Sequence, residues 1–366
     1  MRILPFLASF LGLALSVSAQ DATLSPPTLH LDAVPAVLEK AVDGFIRPGY
    51  QRFHQSTTVL QTTMSALCAA PSPEATEAAE AAFRDTVAAW SNIEVVRVGP
   101  VIEGNRFERI LFYPDRKSTG LKQVQAAIAT KDESATTVDG LKDKSVAMQG
   151  LGALEFVLYG SGAETLGQEK DSHRCRYGAA IAGNLERLAK ELTAEWDRPG
   201  GIQDAWKHPG PDNPEFRDGR EAITALLGIL VHGAEAVRDQ RIETFYKGEE
   251  KNTFPRQAIY WRSGLTFVSV ADNLEGLRTL MHQSDMVSLL NDDVRSVVAS
   301  IDFVEKSLIR VADNVSPDVE LAVTDAKERS KLDFLLLNGK DLIMRLNDGY
   351  GGAIGLGAGF SFSDGD

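Results

Sequence analysis

Cysteine is nearly absent: of 366 residues only Cys68 and Cys175 carry a thiol. His173 is the lone imidazole near either of them, so no recognisable zinc spacing assembles around the pair. Basic charge is also short, with 38 Lys and Arg against 51 Asp and Glu and a formal net charge of −13. Such a balance repels nucleic acid and anionic lipid surfaces. Alternating strand-like runs are almost missing, which argues against a sheet. Several catalytic signatures are lacking too. The chain has no H-E-x-x-H and no legible Ser/His/Asp set, and Gly160-Ser161-Gly162 lacks the G-x-S-x-G spacing. Gly355-x-Gly357 has neither a strand before it nor a helix after it, so its context is not that of a nucleotide-phosphate loop.

Uncharged apolar stretches are few, and the first is N-terminal. MRILPFLASFLGLALSVSA has one arginine, an apolar run from Ile3 to Leu15 and a small-x-small ending at Ala19. It reads as a signal peptide over residues 1–19, cut after Ala19. No cysteine stands at the cut to carry a lipid, and nothing later reads as a membrane span. The expected location is therefore export, to the periplasm or cell envelope. Losing Arg2 with that segment leaves 37 basic against 51 acidic residues, a balance of −14. With 43% of the full sequence hydrophobic, the remainder is long enough for two cores of ordinary domain size. In an oxidising compartment an exported pair of cysteines, Cys68 and Cys175, is most simply a disulfide.

What the chain does have is helical periodicity. Ser72-Pro73-Glu74 is a helix start with an N-cap serine, proline in the first turn and an acid behind it; Ala79, Ala82, Phe83, Thr86, Trp90 and Ile93 then recur at three- and four-residue steps. Tyr177–Trp196, Glu221–Val237 and Val287–Val311 have the same character. The fold class is all-α, in two helical-bundle halves. Arg198–Gly219 holds four prolines and four glycines and reads as the connection between them. The expected division is an N-terminal bundle over 20–200, a C-terminal bundle over 215–350 and a glycine-rich tail over 351–366 that is no regular helix. Asn184-Leu185-Glu186 and Asn273-Leu274-Glu275 are a faint hint that the halves are duplicates.

The second apolar stretch, Ser145 to Ala163, contains a single charge, Glu155. Glycines and Gln149 mark it as a core helix rather than a span. A buried carboxylate needs a cation, a proton or several donors to offset its desolvation. On a helical wheel Glu155 shares a face with Met148, Gly152 and Tyr159, so Gly152 leaves a notch one turn before the acid. Two readings stay open: a ligand site, or a structural acid bonded to backbone or to an arginine such as Arg97, Arg109 or Arg262 where the halves meet. A second motif, His232-Gly233-Ala234-Glu235, places imidazole and carboxylate on neighbouring positions and is the alternative metal pair. It lies opposite the apolar face formed by Ile223, Leu226, Leu227, Leu230, Ala234 and Val237. His54, His173 and His282 stand singly, without a second ligand at metal spacing. The charged segments around Asn105–Arg109 and Asp115–Lys117 suit loops rimming a groove.

Gly150-Leu151-Gly152-Ala153-Leu154-Glu155 resembles the G-x-H-x-x-E signature of the imelysin-like proteins. Pro48-Gly49-Tyr50, Phe112-Tyr113-Pro114-Asp115, Arg174-Cys175-x-Tyr177, Arg262-Ser263-Gly264 and the closing Asp364-Gly365-Asp366 follow that family in the same order. The resemblance implies an exported all-helical protein tied to iron uptake. It further implies a site where the halves meet, with Glu155 as its acid, Gly150 and Gly152 opening the space and Tyr159 and a basic residue on the rim. Iron or another divalent or trivalent metal would be the cofactor, and a metal ion, an iron-bearing ligand or an envelope protein the partner. The family's histidine position is Gly152 here, so the ligand imidazole is missing. That weakens the metallopeptidase activity with which the family was first described and leaves binding as the expectation; the alternatives are a metallopeptidase and an envelope interaction module without metal.

Overall fold

In this computed structural model the described residues are 26–249 and 252–359. The signal-peptide reading of residues 1–19 and the terminal Asp364-Gly365-Asp366 lie outside them. Besides a helix over Thr119–Thr130, eight helices carry the architecture: α1 (Arg47–Ala69), α2 (Pro73–Ile93), α3 (Leu151–Tyr159), α4 (His173–Asp197), α5 (Gly219–Glu235), α6 (Thr266–Gln283), α7 (Ser296–Asp313) and α8 (Ala326–Met344). Shorter helices and 3-10 turns join them, and the described residues contain no strand. The protein is all-α.

Local chemistry sets the helix starts. Ser72 accepts from the Ala75 N–H at 3.1 Å, Asp218 from the N–H groups of Arg220 and Glu221, and Asp325 from those of Lys327 and Glu328. Each such cap stabilises its helix by about 1 kcal/mol. Two sequence expectations shift. The helix expected from Val287 begins only at Ser296, because Asp285 turns the chain at φ 58° and Met286–Leu289 buries its apolar side chains from a 3-10 turn. The glycine-rich tail over 351–366, expected to be no regular helix, starts at the end of a π-helix over Arg345–Gly351, adds one α-turn over Gly352–Ile354 and leaves the helix at Gly355 with φ 69°.

Helix α1 packs against α2 and α4, while α6 packs both on its neighbour α7 and on α2 from the other half; α7 in turn lies on α8. The buried hydrophobic side chains of both halves form one continuous cluster. Close approach of α2 and α6 needs a glycine: a Cβ on Gly276 would sit 2.1 Å from the Asn92 carbonyl oxygen. Beside it, the Asn273 amide donates to Ser91 O at 2.6 Å and Glu94 Oε1 at 2.7 Å. Glu94 Oε2 accepts from Arg241 Nη2 at 2.8 Å, both side chains being less than a tenth exposed. Asn184 is also buried and donates to a main-chain carbonyl, that of Gln149. The two Asn-Leu-Glu triplets thus share a local use that requires no duplication.

The Cys68–Cys175 disulfide forms, joining the end of α1 to the first turn of α4. Along the other packed pair, α6 and α7, charged groups face one another. Asp302 accepts from Arg278, His282 and Lys306, and Asp272 lies near Asp313 and Glu275. Burial, then those two acids, pushes the Asp272 carboxyl up to about 7. Its folded form holds the proton more tightly than the unfolded chain, whose value is about 4. The associated stability is therefore fully present below about pH 4 and is lost as the pH rises towards 7. Asp272→Asn should leave the unfolding free energy unchanged at pH 4 and raise it by about 2 kcal/mol at pH 8, after discounting for partial exposure. Urea titrations at the two pH values measure this, and equal differences at both would refute it.

Candidate functional site

Helix α3 is short and held at both ends. At its start, the missing Cβ of Gly150 lets the chain press against the carbonyls of Ile110 and Arg109, 2.2 and 2.6 Å from where a Cβ would stand. Buried Gln149 accepts from Arg109 Nη1 at 2.9 Å and donates to Lys144 O. Tyr177 donates to Met148 O at 2.8 Å. At its end, the buried Arg174 guanidinium donates to the carbonyls of Val157, Phe156, Ser161 and Gly160. The Phe156 and Gly160 carbonyls also accept the backbone N–H groups of Gly160 and Ala163, and a cation is favoured where the helix dipole is negative. The Arg-Cys-x-Tyr run of α4 thereby fixes α3, and the disulfide fixes α4 beside it. Sequence reasoning singled out that run without assigning Arg174 this role.

Glu155 projects from α3 towards the other half and is 4% exposed. Its Oε1 accepts from the backbone N–H groups of Arg262 and Ser263, each at 3.0 Å. Ser263 Oγ also stands 3.0 Å away, and 3.1 Å from Tyr260 O, so its one proton serves either acceptor. The Arg262 guanidinium is 3.9 Å from Oε2 and lies over the Trp261 ring at 4.4 Å. Burial lifts the Glu155 carboxyl above its usual range, against the lowering pull of Ser263 N–H and the Arg262 charge. The segment that reaches Glu155 is itself pinned: Tyr113 donates to Gln257 O, Thr266 to Ile259 O, and Tyr260 adopts φ 52°.

Next to Glu155 the notch is real. A Cβ on Gly152 would meet nothing within 4 Å. The space is a cavity of about 110 Å³ with walls from both halves, among them Phe112, Asp115, Glu155, Tyr260, Trp261 and Arg262. Across Arg256, Trp261 and Arg262 a wider groove of about 560 Å³ continues past Pro317 and Glu320. Of the residues expected here, Gly152 opens the space, whereas Gly150 is filled by backbone and Tyr159 packs instead on Phe83 with ring centroids 5.9 Å apart. Arg262 is the arginine at Glu155; Arg109 serves Gln149, and Arg97 pairs with Glu108 and covers Phe107.

The fit of a metal at Glu155 is poor. Among the described residues no three His, Cys, Asp or Glu side chains gather around it. One of its oxygens is already committed to main-chain donors, and Gly152 offers no imidazole. A hydrolytic metal needs two or three ligands and an open position. At the alternative pair, His232 Nδ1 lies 2.9 Å from Glu235 Oε2, while Nε2 is buried without a hydrogen-bond partner. His54 pairs with Glu186 and His173 is buried. His282, expected to stand alone, is joined across the α6/α7 seam by Asp302 and Glu305.

Solved structures share this architecture. An imelysin-like protein from Psychrobacter arcticum 273-4 aligns at a TM-score of 0.75 with 18% identity, over 92% of this chain and 100% of its own. A putative iron-regulated protein A precursor from Parabacteroides distasonis ATCC 8503 aligns at 0.74 with 16% identity, over 91% of this chain and 96% of its own. Likeness at these identities is likeness of fold. No curated protein matches the chain. The family model for imelysin matches residues 46–346, over the same helices that bring Glu155, Gly152 and the 260–263 segment together. By that match the chain belongs to the imelysin family.

Proposed function

We propose that this is an exported binding protein of iron uptake, which takes an anionic, iron-bearing ligand in the cleft between the two halves and does not act as a peptidase. One observation carries the reading: the family's histidine position is Gly152, and the vacated space beside Glu155 is open and lined by both halves. Glu155 ties the halves together at the floor of the cleft rather than holding a bare ion, since Oε1 is occupied by main-chain donors. Arg262 and Arg256, both close to the Trp261 ring, give the rim the positive charge and aromatic face that an anionic chelate meets favourably. The iron-regulated protein A name of one similar structure supports the link to iron.

Gly152→Leu tests this directly. Leucine has a higher helix propensity than glycine and meets no neighbour at its Cβ, so the melting temperature should hold or rise while the notch fills. Titration with ferric citrate, followed by tryptophan fluorescence, should show saturable quenching in the parent. The variant should bind about tenfold more weakly or worse, the loss expected when a well-formed pocket is blocked. Equal affinity in both proteins, or no quenching of the parent, would sink the proposal.

A further inference from the structure

A separate set of metal-ligating side chains lies far along the chain from the cleft, where α6 meets α7. His282 stands in the last turn of α6, and Asp302 and Glu305 are three residues apart on α7, a spacing that puts both carboxyls on one helix face. One donor atom from each of the three lies within 4.8 Å of the other two. Glu305 is fully buried, and neither of its carboxylate oxygens has a hydrogen-bond partner. A buried carboxylate without donors is strongly unfavourable until a proton or a cation meets it. The nearby cations do not: Arg278 Nε and Lys306 Nζ both go to Asp302, at 2.8 and 2.7 Å.

We propose that His282, Asp302 and Glu305 bind one divalent transition-metal cation, through an imidazole nitrogen and two carboxylate oxygens, with water in the fourth position. Two carboxylates balance the ion's charge. The imidazole selects zinc-like ions over magnesium and calcium, which favour oxygen ligands alone. Asp302 has to free an oxygen, and the structure allows it. Lys306 is half exposed on a flexible stem and can turn to water, and Arg278 keeps Glu275 as a partner at 3.1 Å. The His282 side chain is 39% exposed, which gives the ion a way in. None of these residues lines the cleft at Glu155, so this site stands or falls independently of the iron-ligand reading.

Calorimetric titration of Zn²⁺ into chelator-treated protein, with elemental analysis after dialysis, tests the assignment. One Zn²⁺ per chain is expected. His282→Ala and Glu305→Gln should each weaken binding about tenfold or more, and Gly152→Leu and His232→Ala should not alter it. Glu305→Gln keeps the side-chain shape, and circular dichroism verifies its folding; His282→Ala changes a partly exposed position and serves as the second variant. No binding by the parent overturns the proposal, as does stoichiometric binding that survives both substitutions. Loss in His232→Ala with retention in His282→Ala would place the ion at the His232–Glu235 pair and overturn it equally.

Discussion

Replacing Cys68 and Cys175 together by alanine is expected to lower the unfolding free energy by about 5 kcal/mol. The bond closes a loop with a sequence separation of 107 residues, and on the chain-entropy account a loop of that size restricts the unfolded ensemble by roughly that amount. The folded state loses little packing, since only two small sulfur groups go. The local effect reaches further than the energy suggests. Cys175 is adjacent to Arg174, which holds the end of α3, so freeing the first turn of α4 loosens the helix that carries Glu155. Guanidinium denaturation with and without reductant measures the change. A loss below about 1 kcal/mol would mean that packing of α1 on α4 already confines the reduced chain.

The second large effect is expected at Glu94. Glu94→Leu should destabilise by about 3–5 kcal/mol, because it leaves the Arg241 guanidinium buried without its carboxylate. The Asn273 amide loses one of its two acceptors in the same step. Adding Arg241→Met should restore much of the loss, since removing both ions together abolishes the stranded charge and apolar side chains of similar volume pack well there. With side-chain exposures of 8% and 5%, the pair is shielded from solvent, and added salt should change the result little. Urea denaturation of the two variants decides it. If Glu94→Leu unfolds within 1 kcal/mol of the parent, the ion pair is no clamp between the halves.

Much of this was legible from periodicity alone. Faces repeating at three and four residues gave the long helices, and the serine-proline start of α2 gave its first residue and its cap. Glu155 was visible because one charge in an apolar run has to be explained. Its partners were not, because the N–H groups that meet it lie more than a hundred residues along the chain, at 262 and 263, and backbone donors leave no mark in side-chain identity. The helical wheel placed Tyr159 beside Glu155, but a nine-residue helix is buried on nearly every side, so sharing a face did not mean sharing a cavity. The three-residue spacing of Asp302 and Glu305 was readable, whereas His282 joins them only through the antiparallel packing of α6 on α7. Arg174 looked like a landmark and proved to be the cap of another helix, a role that depends on where α3 ends in space.

The open side of Gly152 has a consequence for how such a protein can change over generations. The residues that hold α3 in place are Gly150, Glu155 and Arg174; at Gly152, beside the cleft, an added Cβ would meet nothing within 4 Å. A new side chain there changes the shape of the cleft and leaves the anchors intact. Cleft shape and foldability are set at separate positions, and a lineage can remodel the cleft at residue 152 without first rebuilding the scaffold.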